Sequence, residues 1–170
     1  MKRLLVMSDT HRDRQWLETV VERHKSDVDA VFHCGDSELD TDDPLLEAIT
    51  IVRGNTDFEI DFPSFQTTTI DNVTIWQTHG HLLHVTRNDQ QALHAAAKEK
   101  GADLVLYGHT HIPNVEHIDE KMHIVNPGSL LMPRGGYEPT YCIITIEESK
   151  VKAIDYYNRN TGERNESLSV

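Results

Sequence analysis

The stretch "LVLYGHTHIP", Leu104 to Pro113, is an apolar run that stops at Gly108 and then offers two imidazoles, His109 and His111, on alternate residues. A buried strand that ends this way delivers donor groups to the rim of a sheet. The same ending recurs upstream. "LLVMSDTH" runs into Asp9 and His11, "AVFHCGD" into Asp36, "ITIVRGN" into Asn55 and "VTIWQTH" into His79. In open α/β sheets ligands gather outside the carboxyl ends of the strands, so these endings can converge although they lie far apart along the chain. Gly35, Gly54, Gly80 and Gly108 each stand beside a candidate, where a missing side chain lets the backbone turn sharply or approach a small ion.

Working outward, short runs rich in β-branched residues read as strands: "RLLVM", "DAVFHC", "ITIVR", "VTIWQT", "LVLY", "MHIV", "YCIITI" and "VKAIDYY". Helices lie between the early ones. "RDRQWLETVVERHK" sets Trp16, Leu17, Val20 and Val21 along one face, with Trp16 read as core. "NDQQALHAAAKEKGAD" has an Asn or Asp to cap it and Gly101 to stop it. "SELDTDDPLLEAI" reads as a loop, a cap and a short helix from near Pro44. In the last third the runs follow one another across turn-length gaps, which predicts hairpins. The tail "NRNTGERNESLSV" is polar and reads as a mobile or exposed end. The pattern is that of an α/β protein with mixed or paired sheets and helices outside.

Composition limits the chemistry. The chain of 170 residues suits one domain, 1–170, and carries no repeat or linker. No stretch approaches the roughly 20 apolar residues of a membrane span, and the start is too soon polar for a secretory signal. Cys34 and Cys142 show no paired spacing, and the compartment is read as cytoplasmic. A formal charge of -12 disfavours long nucleic acid and anionic membrane as partners. An acidic chain that handles phosphate needs a cation.

The candidates can hold one. Asp9 with His11, and His109 with His111, are two residues apart, so in an extended segment each pair points to one side. Asp, Asn and His supply oxygen and imidazole nitrogen without thiolate, a set that suits Mn, Fe, Co, Ni or Zn better than calcium, and manganese is the metal expected first. The seven donors Asp9, His11, Asp36, Asn55, His79, His109 and His111 exceed what one tetrahedral ion needs. Two ions roughly 3.5 to 4 Å apart use them better, with Asp36 as the shared carboxylate. His33, inside a strand, reads as a hydrogen-bonded core histidine. "NPGSL", Asn126 to Leu130, reads equally as a plain turn or as a loop bordering the site, with Arg134 reaching a phosphate.

The ordered series D-x-H, G-D, G-N, H-G-H and G-H-T-H, here Asp9 and His11, Gly35 and Asp36, Gly54 and Asn55, His79 to His81, and Gly108 to His111, resembles the calcineurin-like metallophosphoesterase superfamily. The length and "NPGS" resemble its small bacterial and archaeal phosphodiesterase branch. The resemblance implies a four-layer αββα sandwich of two mixed sheets flanked by helices. It implies a first metal held by Asp9, His11, Asp36 and His111, and a second by Asp36, Asn55, His79 and His109. A hydroxide between the ions would attack a small phosphate ester, with Asn55 also touching the phosphate. Many members read G-N-H-[DE], whereas this chain reads "GNTD", with Thr56 where the leaving-group histidine stands. His81 is the substitute proton donor, since a general acid must reach the departing oxygen. Two other readings share the fold: a non-catalytic protein-binding scaffold like the related retromer subunit, and a nuclease or nucleotide phosphatase. The oligomeric state is left open, a homo-oligomer included.

Overall fold

Alternation along the strands decides how the layers stack. A computed structural model of the protein describes residues 1–58 and 61–170. The first sheet holds β1 (Lys2–Met7), β2 (Ala30–His33), β3 (Ile49–Ile51) and, late in the chain, the two strands Thr140–Glu147 and Lys150–Asn158, β9 and β10. Its order is β10-β9-β1-β2-β3, antiparallel on the β10 side and parallel on the β3 side. The second holds β4 (Phe65–Ile70), β5 (Val73–Thr78), β6 (Leu104–Leu106), β7 (Asn114–Ile118) and β8 (Met122–Asn126) in the order β4-β5-β6-β8-β7, parallel only about β6. Both sheets are therefore mixed.

Leu4 and Val6 of β1 point into a core shared with Ile75, Leu104 and Leu106 of the other sheet, all fully buried. The alternate residues Leu5 and Met7 pack on the far side against Leu17 and Val20 of α1, Arg14–His24. On the outer face of the second sheet Trp76 and Val105 meet Leu93 and Ala97 of α2, Gln91–Glu99. The order is helix, sheet, sheet, helix, and the four-layer αββα sandwich is present. A two-faced strand needs apolar residues at every position, which is why β1 and β6 read as continuous hydrophobic runs. Among the described residues no helix is long and apolar enough to cross a membrane.

Several local expectations hold. The expected hairpins are β7-β8 and β9-β10. Pro44–Ala48 forms a 3-10 helix whose first turn is capped by Asp43, its Oδ1 accepting from Leu45 N at 2.9 Å. His33 is fully buried, with Nε2 2.9 Å from Thr10 Oγ1 and Nδ1 accepting from Gly35 N at 3.2 Å.

Others need correction. β4 and β7 are absent from the expected strands, because "FQTTTI" and "NVEHI" lie at sheet edges and carry few apolar side chains. Trp16 is only partly buried, with the Arg159 guanidinium 4.3 Å over its ring, so it closes the surface of the helix layer instead of filling the core. The N-cap of α2 is Gln90 and makes no side-chain cap; Asp89 Oδ1 instead accepts from Gln91 N at 3.1 Å. The polar tail is tied down. Val170 and Ile154 exchange both backbone hydrogen bonds, at 2.7 and 2.9 Å, and Asn165 N donates to Tyr156 O at 2.7 Å. Backbone pairing with β10 replaces the apolar anchoring that the tail lacks.

Candidate metal centre

All seven sequence-predicted donors lie just beyond strand ends at one end of the sandwich. They do not get there as extended chain. Asp9 (φ 55°), His11 (44°), Asp36 (57°), His109 (70°) and His111 (60°) are all left-handed. The expectation that extended, alternate residues share a side is therefore wrong for both pairs: the strands stop at Met7 and Leu106, and tight left-handed turns aim the side chains. Asp, Asn and His tolerate this region better than other residues, at about 1–3 kcal/mol each. Hydrogen bonds between distant loops of the chain hold the turns, including Asp9 N to Gly35 O at 3.0 Å and His11 N to Asp36 O at 2.9 Å. Ser129 Oγ donates to Asp9 O at 2.8 Å and Asn126 Nδ2 to Gly108 O at 3.0 Å, so "NPGS" borders the site.

Two of the glycines make room for carboxylates and not for an ion. A Cβ on Gly54 would stand 1.9 Å from Asp36 Oδ1, and one on Gly108 would stand 2.6 Å from Asp9 Oδ2. Each carboxylate is thereby pinned by one oxygen. Asp36 Oδ1 accepts from Thr56 N at 2.9 Å. Asp9 Oδ2 accepts from Ser8 Oγ at 2.5 Å and His109 N at 3.2 Å. The other oxygens face imidazoles: Asp9 Oδ1 lies 3.1 Å from His111 Nε2 and 3.8 Å from His11 and His79 Nε2, and Asp36 Oδ2 lies 3.2 Å from His79 Nε2 and 4.0 Å from His11 Nε2. Asn55 Oδ1 is 3.1 Å from both His79 Nε2 and His109 Nδ1.

Outer partners fix the tautomers. His11 Nδ1 donates to Glu38 Oε2 (3.1 Å), His79 Nδ1 to Cys34 O (2.7 Å) and His111 Nδ1 to Met132 O (2.7 Å). In the neutral rings each Nε2 is then a bare lone pair. His11 and His111 point those lone pairs at each other across 3.2 Å, and Asp9 Oδ1 is buried beside them with no hydrogen-bond partner. Acceptors converging on a space without a donor fit a cation. Two triads have donor atoms within 4.8 Å of one another, Asp9 with His11 and His111, and Asp9 with Asp36 and His79. Protons take up the charge when ions do not: burial disfavours the His79 imidazolium, but Asp9 and Asp36 outweigh it and push its pKa up to about 9. Burial likewise opposes ionisation of Asp9, yet His79 and His111 hold its carboxyl below the usual range.

Over residues 1–149 the chain matches the calcineurin-like phosphoesterase superfamily domain. The protein belongs to that family. The chain is 40% identical over 144 residues to the probable metallophosphoesterase YsnB of Bacillus subtilis, covering 85% of this chain and 84% of that protein. It is 32% identical over 119 residues to the phosphodiesterase YfcE of Escherichia coli K12, covering 65% and 60%. A crystal structure of a predicted phosphoesterase from Streptococcus pneumoniae TIGR4 superposes with a TM-score of 0.91 at 39% identity, covering 99% of this chain and 95% of that one.

The protein has a cleft of ≈ 330 Å³ over the centre, with walls that include Asp36, Asn55, Thr56, His109, His111 and Arg134. His81 is not among them. Its ring lies 5.4 Å from His79 and 6.3 Å from His109, with Nδ1 buried and unpartnered, and burial followed by the His79 charge lowers its pKa. One buried residue escaped sequence reasoning. Asp57 Oδ2 accepts from Asp36 N (2.8 Å) and Gly54 N (2.7 Å), and its Oδ1 from Glu38 N (2.8 Å), clasping the loops that carry Asp36 and Asn55. The D of "GNTD" was its signal. Glu38, which orients His11, has no signal in the chain.

Proposed function

We propose that this calcineurin-like phosphoesterase is a phosphodiesterase that works with two divalent ions, manganese first among them. Asp9, His11, Asp36 and His111 hold one, and Asp36, Asn55, His79 and His109 the other. The observation that carries the reading is the pair of facing Nε2 lone pairs on His11 and His111 beside the orphaned Asp9 Oδ1. Ions bound there supply an acidified water as nucleophile at neutral pH and neutralise the phosphate's charge.

The chain's own residues do the rest. Asp36 presents Oδ2 between the two sets, its other oxygen fixed by Thr56 N. Asn55 offers its amide at the cleft wall, where Nδ2 can donate to a phosphate oxygen. Arg134 is held by its backbone N–H on His111 O at 2.9 Å and places a guanidinium on the same wall, the group best shaped for phosphate. His81 is the proposed donor to the leaving group. No covalent enzyme intermediate is involved. The domain spans 1–170, the compartment is the cytoplasm, and the substrate is a small ester. A scaffold role gains no support from this centre, where every donor position keeps a competent side chain.

The test is hydrolysis of bis(4-nitrophenyl) phosphate by chelated protein. Activity is expected to disappear with chelation and return with manganese at about two ions per chain by elemental analysis, and not to return in Asp36→Ala. Full activity of chelated, metal-free protein refutes the reading.

A further inference from the structure

Beside the metal cleft lies a second hollow of ≈ 280 Å³, lined by Arg12, Glu38, Leu39, Asp40 and Phe58. Glu38 belongs to both walls, so the two hollows are neighbours that share one side chain. Its carboxylate joins them chemically as well, with Oε2 on His11 Nδ1 at 3.1 Å and Oε1 3.5 Å from Arg12 Nε. Phe58 is 83% exposed. A lone exposed phenylalanine is ordinary, but this one follows the anchored Asp57 and forms the wall of a hollow that shares Glu38 with the metal cleft. The opposite side is built at a conformational cost, since Arg12 (φ 71°) and Glu38 (φ 55°) are both left-handed. Arg12 N on Ser37 O at 3.0 Å and Glu38 N on Asp57 Oδ1 at 2.8 Å hold them so.

We infer that this second hollow seats the organic half of the substrate, and that this half is a nucleoside whose base stacks on Phe58. The inference rests on the phosphodiesterase reading above and names its substrate class. The chemistry of the lining favours that occupant. A phenyl face offers stacking to any base, Glu38 and Asp40 accept from ribose hydroxyls or base amino groups, and Arg12 donates to base carbonyls. A simple alkyl group would use none of these polar groups. The net charge of -12 repels a long strand, so the occupant is a single nucleoside unit.

Three chromogenic diesters with the same nitrophenolate leaving group test this on manganese-loaded protein: the thymidine 5′-phosphate, methyl phosphate and phosphorylcholine esters. Base stacking on an aromatic side chain is worth about 1–3 kcal/mol, so kcat/KM should favour the thymidyl ester over the methyl ester by about fivefold or more. Phe58→Ala should cut that ratio to about twofold or less, and Phe58→Tyr should keep it. Equal rates on all three esters, a preference for the choline ester, or a preference that survives in Phe58→Ala would each overturn the inference. If no ester is turned over, the phosphodiesterase reading fails, and the seat is then decided by NMR saturation transfer to thymidine monophosphate. Base-proton contact that is lost in Phe58→Ala supports the seat; its absence from the wild type removes it.

Discussion

His11 and His111 meet Nε2 to Nε2 at 3.2 Å, although each ring already donates its Nδ1–H to another acceptor. Two lone pairs at that distance repel unless something positive lies with them. A cation at that point should stabilise the fold as well as complete the site. Thermal unfolding of the chelated protein is therefore expected to move upward when manganese is added, by about 2.7 kcal/mol at a hundredfold excess over Kd. Asp9→Asn should abolish most of that shift, measured by calorimetry on both proteins.

Asp57 holds two loops with one carboxylate, and both of its oxygens accept from backbone N–H groups. Asn at this position turns an NH2 toward at least one donor. Asp57→Asn should lose about 2 kcal/mol in urea unfolding. Manganese affinity, read by isothermal titration, should fall about 10- to 100-fold, because the Asp36 loop loses its anchor.

Gly54 touches Asp36 so closely that a methyl group has nowhere to go. Gly54→Ala should impair metal binding about as severely as Asp36→Ala. Gly101→Ala is the control: a Cβ there meets nothing within 4 Å, and only its φ of 64° opposes the change. It should cost about 1 kcal/mol of stability and leave metal titration curves unmoved.

His33 contributes to the acid side of the stability curve. Burial is the main cause that lowers its pKa to about 4, and Gly35 N–H already occupies Nδ1. Between about 4 and 6.5 the unfolded chain binds a proton that the folded one does not, so stability rises with pH across that window. The contribution is complete above 6.5 and is lost as pH falls toward 4, amounting to about 3 kcal/mol. Chemical denaturation of the chelated protein at pH 4.5, 5.5 and 7 should show this slope, and His33→Gln should reduce it, the buried or half-buried His24, His81, His109 and His123, whose pKa values burial also lowers, supplying the rest. Asp9 and Asp36, whose pKa values are lowered, act in a more acidic window, below 3.8.

His81 bears on leaving groups. If it delivers a proton, His81→Asn should slow hydrolysis of an alkyl diester by about 10²-fold while a nitrophenyl diester, whose leaving group needs no proton, loses little. Equal losses on both esters would remove His81 from that role.

The donors were legible because metal-binding ability belongs to the side chain itself: Asp9, Asp36 and His79 announce it wherever they stand. The layers were legible for a related reason, since β1 and β6 must be apolar on both faces. Backbone handedness is a different kind of property. The left-handed φ of Asp9 depends on a bond to Gly35 O, in the loop after β2, which no local pattern encodes. Glu38 was invisible for the same reason, its role being set by where His11 arrives. The strand "FQTTTI" was hidden because its partner β5, not its own composition, establishes it.

The closing segment of the chain has a bearing on handling the protein. By pairing with Ile154 and Tyr156, residues 165–170 cap the outer border of β10, which would otherwise offer unsatisfied amides and carbonyls to any passing strand. Cutting the chain before Asn165 would uncover a template for self-association, and a purification tag fused after Val170 would pull on that guard.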